Sequence, residues 1–180
     1  MLIRSASDLI TLENPNYQFV AARLLLFGLR KQVFNKNVWK EGMPNVFDVA
    51  LYNATVDKVC DEDIREKYTD EDWNEVNTWI DHDRDYLFTY AGLRQVTDKY
   101  LVQDRSSGET YETPQYMYMM IALTLFADYP LATRLDYVRR YYNAISKHKI
   151  NIPTPIMAGV RTPLRQFASC VLVAADDTLD

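Results

Sequence analysis

From Asn16 to about Asn35 the chain reads NYQFVAARLLLFGLRKQVFN, the clearest helical pattern in the sequence. Tyr17, Val20, Ala21, Leu24, Leu25, Phe27 and Leu29 form a wide apolar arc at the 3.6-residue period, with Arg23, Arg30 and Lys31 toward its edges. An arc this wide predicts a helix buried on more than one side, so other elements must close around it. Arg30 and Lys31 lie toward its C-terminal end, where cations suit the helix dipole. Upstream, residues 1–12 read as a short amphipathic helix broken at Asn14-Pro15, with Asn14 as N-cap and Pro15 at the first position of the next helix.

The segments that follow supply more helices. Phe47 to about Val59 sets Phe47, Ala50, Leu51, Ala54 and Val59 roughly on one face. Thr69-Asp70-Glu71-Asp72 resembles a capping box, with Asp72 in the place of the usual Glu or Gln, and opens a helix carrying Trp73, Val76 and Ile80. Phe88–Lys99, Thr113-Pro114 through Phe126, and Leu131–Ser146 read as helices too. Residues 100–112 contain a small hairpin turned at Ser106-Ser107-Gly108. The Met- and Tyr-rich run from Tyr116 to Phe126 reads as core.

Composition narrows the function classes. Nearly half of the 180 residues are apolar and 13% are aromatic, enough to bury a core in one domain with an appendage. The formal charge of −5 and the pI near 5.1 argue against a nucleic-acid surface, which normally shows a basic patch. The longest apolar runs, such as Met117–Ala127, are too short to span a bilayer, and MLIRSASDL lacks the apolar core of a signal peptide. A cytoplasmic protein is the expectation. Cys60 and Cys170 form no disulfide framework or CxxC, and with His82 and His148 the only histidines no metal site is expected.

Two polar clusters remain. Residues 61–72, DEDIREKYTDED, read as a solvated helix face and loop. Asp81-His82-Asp83-Arg84-Asp85 at a helix boundary reads as capping and ion pairing, and at its most specific as an ion-paired brace between two helices.

After Ser146 the period of 3.6 gives way to extended, proline-punctuated chain. Pro153 and Pro155 push Ile152 and Thr154 toward β or polyproline geometry, which displays the Thr154 hydroxyl as a donor for an anionic ligand. Thr162-Pro163 repeats the device after Gly159. Arg165–Ser169 and Val171–Val173 then predict a buried strand around Cys170, apolar on both faces as in a parallel sheet interior. Cys170 is either a small buried hydrophobe or a redox or nucleophilic thiol. Cys60, among acidic residues, has its thiolate disfavoured and reads as structural.

The string IPTPIMAGVRTPLRQFASCVLVAADDTL closely resembles the start of the catalytic barrel in the large subunit of class I ribonucleotide reductase. The resemblance continues upstream in PNYQFVAARLLLFGLRK, IDHDRDYLFTYAGLRQVTDKYLVQDRSSGETYETPQ and RLDYVRRYYNAIS, and covers about residues 8–180. It implies a mainly α chain: residues 1–148 as the family's helical domain and residues 149–180 as the start of its ten-stranded α/β barrel. By position, Cys170 matches the cysteine that reduces the ribose 2′ position and pairs with a second cysteine far downstream. Thr154 and Ser169 match positions around the nucleoside diphosphate. Asp177, Thr178 and Leu179 match the opening of the specificity site for a nucleoside triphosphate effector, with Thr178 in place of a common serine.

Parts of the family pattern are unmatched: the N-terminal ATP cone, the radical-bearing cysteine with its neighbouring asparagine and glutamate, the redox partner cysteine and the C-terminal cysteine pair. Reduction needs a thiyl radical, two reducing thiols and an acid/base carboxylate in one pocket, and this sequence supplies one thiol. The expectation is a split or truncated large subunit, inactive alone. A second large-subunit polypeptide would complete the barrel, and a metal-containing small subunit would supply the radical. The chain itself is expected to bind no cofactor, DNA or membrane. A non-catalytic helical interaction module fits residues 1–148 equally well. A self-contained thiol enzyme would need His82 or His148 beside Cys170.

Overall fold

Local capping signals set most of the element boundaries. The structure is a computed structural model and describes residues 2–36, 46–104, 106–164 and 166–173. In chain order the helices are α1 (Leu2–Asp8), α2 (Tyr17–Lys36), α3 (Val46–Val56), α4 (Asp63–Glu66), α5 (Asp70–Trp79), a 3₁₀ helix (His82–Leu87), α6 (Tyr90–Lys99), α7 (Pro114–Phe126), α8 (Leu131–Ser146) and α9 (Thr154–Gly159). The Thr69 side chain accepts from the Asp72 backbone N–H, and Asp72 returns the bond to the Thr69 N–H, so the capping box forms. Thr113 caps α7 more simply, its hydroxyl accepting from the Tyr116 N–H, with Pro114 just inside the helix.

The mainly helical architecture is built around α7. Every residue from Pro114 to Leu123 is buried, because α8, α9 and the 3₁₀ helix all pack on it. A helix that is apolar all round can sit only in such a place. α2 packs on α1, α6 and the 3₁₀ helix through Ala22, Leu25, Leu26, Leu29 and Val33. Its other side is open: Val20 is 45% and Phe27 71% exposed. The wide arc therefore overstates the burial of α2 among the described residues; one face meets the core, and the rest of the arc faces outward. Phe47, Trp73 and Tyr116 join the α3, α5 and α7 layers by ring contacts, with Phe47 5.8 Å from Trp73 and 5.0 Å from Tyr116.

Residues 101–104 and 106–111 run back alongside each other. Tyr111 N–H donates to the Val102 carbonyl and Asp104 N–H to that of Glu109, around the antiparallel bridge Gln103–Thr110. Gly108, at φ +74°, takes the left-handed position that closes the turn. No helix among the described residues is long and apolar enough to cross a membrane.

The terminal segment departs from its expected form twice. Residues 154–159 are helical rather than extended, because prolines are tolerated in the first turn of a helix, where the missing N–H has no partner to lose. Residues 166–173 form no strand, and Val171, Leu172 and Val173 are 72%, 104% and 81% exposed. A strand needs a neighbour for its backbone hydrogen bonds, and no other described segment lies alongside to provide one.

Candidate functional site

The end of α8 aims the chain at the site. His148 N–H donates to the Ile145 carbonyl and Lys149 N–H to that of Ala144, a Schellman closure with His148 at φ +54°. That conformation is usually taken by glycine; here the His148 ring is held edge-on to Phe88 (4.7 Å) and Tyr118 (6.5 Å). Burial between these rings holds its imidazole below the ordinary histidine value.

The reversed chain then runs along an open cleft of about 820 Å³, with Gln95, Tyr100, Tyr118, His148, Lys149 and Thr154 among its walls. Thr154, the first residue of α9, is exposed on this cleft. Its hydroxyl lies 3.2 Å from the Tyr100 hydroxyl, which accepts from Gln95 Nε2 at 3.2 Å.

Past α9 the segment is clamped by a charge. Arg161 is fully buried, and its guanidinium grips Glu112, itself 4% exposed, in a two-pronged pair: Nε donates to Oε2 at 3.0 Å and Nη2 to Oε1. The remaining donors reach the carbonyls of Met157 and, at 2.7 Å, Tyr100. Glu112 Oε1 also accepts from the Val102 N–H at 2.6 Å, and the Arg161 carbonyl accepts from Asp61 N–H. One arginine thus ties α9, the start of the hairpin and the turn after α3 to the same point. Thr162 adds an N-terminal-type turn, its hydroxyl accepting from Leu164 N–H and donating to the Gly159 carbonyl. A Cβ at Gly159 would stand 3.5 Å from the Leu164 carbonyl oxygen and 3.8 Å from the Phe167 ring, so the chain folds back closely over it.

Ser169 and Cys170 follow, both exposed, with Ser169 Oγ 3.9 Å from Cys170 Sγ. Cys170 is a free thiol, and among the described residues no imidazole or carboxylate is bonded to it. Cys60 is the opposite case: buried against Glu112 and Arg161, with its thiol pushed up to about 12, first by desolvation and then by the Glu112 charge. The structure thus places Thr154 on the cleft and Ser169 beside Cys170 on the outer segment. Asp177, Thr178 and Leu179 lie outside the described residues. Among the described residues, no three His, Cys, Asp or Glu side chains stand together as a bound metal would require.

Sequence reading missed Glu112, Arg161, Tyr100 and Gln95. The only available signal was a lone charge in each of two proline-framed motifs, Arg161-Thr162-Pro163 and Glu112-Thr113-Pro114, and their partnership spans 49 residues.

Comparison with known proteins finds likenesses in sequence. The family described as "Ribonucleotide reductase, all-alpha domain" matches residues 86–165, from within the 3₁₀ helix to just beyond the buried Arg161. Over 99% of this chain, it is 46% identical to "Ribonucleoside-diphosphate reductase 1 subunit alpha" of Escherichia coli. Over the same share it is 46% identical to the subunit alpha of Haemophilus influenzae and 43% identical to that of Enterobacteria phage T4. In each case it spans 23% of the relative's length. These likenesses in sequence place the chain in the family of ribonucleotide reductase large (alpha) subunits, in the region holding its all-alpha domain.

Proposed function

We propose that this chain supplies the helical domain and one reducing thiol of a ribonucleoside-diphosphate reductase. Reduction removes the ribose 2′-oxygen as water while two thiols are oxidised to a disulfide. In this reading Cys170 is one of those thiols, and Thr154 and Ser169 face the nucleoside diphosphate. Asp177, Thr178 and Leu179 open the specificity site, where a nucleoside triphosphate effector selects the substrate.

The observation that carries the reading is the state of the terminal segment. A buried ion pair fixes its base, yet Cys170 and the apolar Val171–Val173 that follow it are exposed. An apolar run bordering a free thiol, presented by a clamped segment, suits a strand that enters a barrel built by further polypeptide. That polypeptide, on the same chain or a second one, would carry the radical cysteine, the second reducing thiol and the carboxylate. The radical itself would come from a metal-containing small subunit.

The test is turnover in the assembled reductase, with large-subunit polypeptide carrying the remainder of the family's length and a small subunit. Cytidine diphosphate is the probe. Cys170→Ser should abolish multiple-turnover reduction while leaving assembly and nucleotide binding in place. Unchanged turnover by the Cys170→Ser protein would assign the chain a scaffold role instead.

A further inference from the structure

We infer that Gln95 and Tyr100 are positioning residues for substrate: together they orient the Thr154 hydroxyl so that its proton points into the cleft, toward an anionic oxygen such as a substrate phosphate. The inference rests on the reading of Thr154 as a substrate-facing residue.

Three hydroxyl and amide groups stand in line. Gln95 Nε2 is 3.2 Å from the Tyr100 hydroxyl oxygen, and that oxygen is 3.2 Å from Thr154 Oγ1. An amide nitrogen has only protons to give, so the Tyr100 oxygen must accept from Gln95. A phenol oxygen has one favourable in-plane acceptor direction and one proton. With the first taken by Gln95, the Tyr100 proton turns to Thr154 Oγ1. Thr154 then accepts, and its own proton is free for the cleft. Each bond polarises the next, which strengthens the outward donor.

The line is also held at its centre. Tyr100 is 8% exposed, and its main-chain carbonyl accepts from buried Arg161 at 2.7 Å. Gln95 and Thr154, by contrast, are exposed on the cleft wall. A fixed middle member with two accessible ends is the arrangement that presets a donor without the freedom of a surface threonine. Among the described residues the cleft lining includes Lys149 and His148 and no carboxylate that would repel an anion.

The experiment is steady-state reduction of cytidine diphosphate by the assembled reductase, comparing KM with kcat. Losing one preset donor to a ligand phosphate should raise KM about tenfold. Because that bond is equally present before and during reaction, kcat should change less than about threefold. Tyr100→Phe and Thr154→Val should each show this, and the double variant should be no worse than Thr154→Val alone, because both act through one hydroxyl. Gln95→Glu is the sharper arm. A carboxylate accepts the Tyr100 proton, which reverses the line and turns the Thr154 proton inward, so KM should rise about tenfold, while Gln95→Ala should rise less.

If Thr154→Val raises KM and Gln95→Glu and Tyr100→Phe do not, the orienting line is overturned and the substrate-site reading stands. Independent, multiplicative effects of Tyr100→Phe and Thr154→Val also overturn the line. If Thr154→Val leaves KM unchanged, the substrate-site reading fails and takes the inference with it. Because the new carboxylate also repels an anion directly, Gln95→Glu is read in the Thr154→Val background as well: a rise in KM that vanishes there supports the line, one that persists there is repulsion and overturns it, and this comparison decides alone should Tyr100→Phe fold poorly.

Discussion

The two cysteines differ by their surroundings, and the difference can be measured directly. Cys60 is 5% exposed, and burial first, then the Glu112 carboxylate, pushes its thiol to about 12; the Arg161 charge works against this but does not win. At pH 8 its thiolate fraction is about 1 in 10⁴, and the thiolate is the reactive form. Cys170 is exposed on the outer segment beside Ser169. A thiol reagent at pH 8 should therefore modify one cysteine quickly. Cys170→Ser should remove that fast phase, and Cys60 should react only as the protein is unfolded. A fast phase that persists in the Cys170→Ser protein would mean that Cys60 is not shielded as described. The sequence placed Cys60 correctly as structural, but for a minor reason: nearby acids were visible, whereas the desolvation that dominates depends on a fold brought together from distant segments.

At the scale of elements, the 3₁₀ helix His82–Leu87 braces three longer helices. Asp85 accepts from Arg30 of α2 at 3.1 Å and from Gln115 of α7 at 2.8 Å; Gln115 accepts from the Tyr142 hydroxyl of α8 at 2.8 Å. Tyr142 in turn accepts from the Asp81 N–H, and Arg84 donates to Ser146. His82 sits between the rings of Phe34 (5.4 Å) and Tyr116 (5.1 Å). Burial, then the nearby Arg30 charge, pushes its imidazole down to about 4, so it is neutral in the native protein. A lowered folded value means the unfolded chain binds the proton more tightly. This contribution to stability is complete above about pH 6.5 and is lost as pH falls toward 4. Asp85 acts in the opposite sense: burial raises it to about 6, so its contribution is present at low pH and lost as pH rises through that value. The two slopes oppose between pH 4 and 6. His82→Phe keeps a ring in place and removes one of them. Its cost relative to the parent should shrink by up to about 3 kcal/mol as pH falls from 7 to 4, read by denaturant unfolding at each pH. A pH-independent difference would show that His82 does not titrate in this way. The brace was legible as a dense cluster of alternating charges at a helix boundary, and the caps at Thr69 and Thr113 were legible from local spacing alone. What local spacing could not supply was direction: Arg30 reads as a helix-dipole cation, yet it reaches across to Asp85 and the His82 carbonyl.

For the whole molecule, the question is how a segment with little apolar surface of its own stays docked. Around α9, only Met157 and Val160 enter the core as buried apolar side chains, with Ile152 and Ile156 packed at its margin. Most of the attachment falls to Arg161, whose guanidinium meets Glu112 and two backbone carbonyls in a fully buried setting. A buried pair adds little over apolar packing, but breaking one by removing a single partner leaves an uncompensated charge and costs about 3–5 kcal/mol. Glu112→Gln keeps the shape and an acceptor while removing the charge, so it should destabilise the protein by about that amount. Glu112→Leu with Arg161→Leu removes both charges but also strips the Tyr100 and Met157 carbonyls and the Val102 N–H of their partners, at about 1–3 kcal/mol for each group left buried and unpaired, so it should be no less damaging than Glu112→Gln. Amide exchange locates the effect: if the pair is the clamp, residues 154–164 lose protection in Glu112→Gln at lower denaturant than the α7 and α8 amides do. Loss of protection in all three together would instead make Glu112 part of the global core, and a cost below about 1 kcal/mol would place the attachment of the Cys170 segment in its apolar contacts.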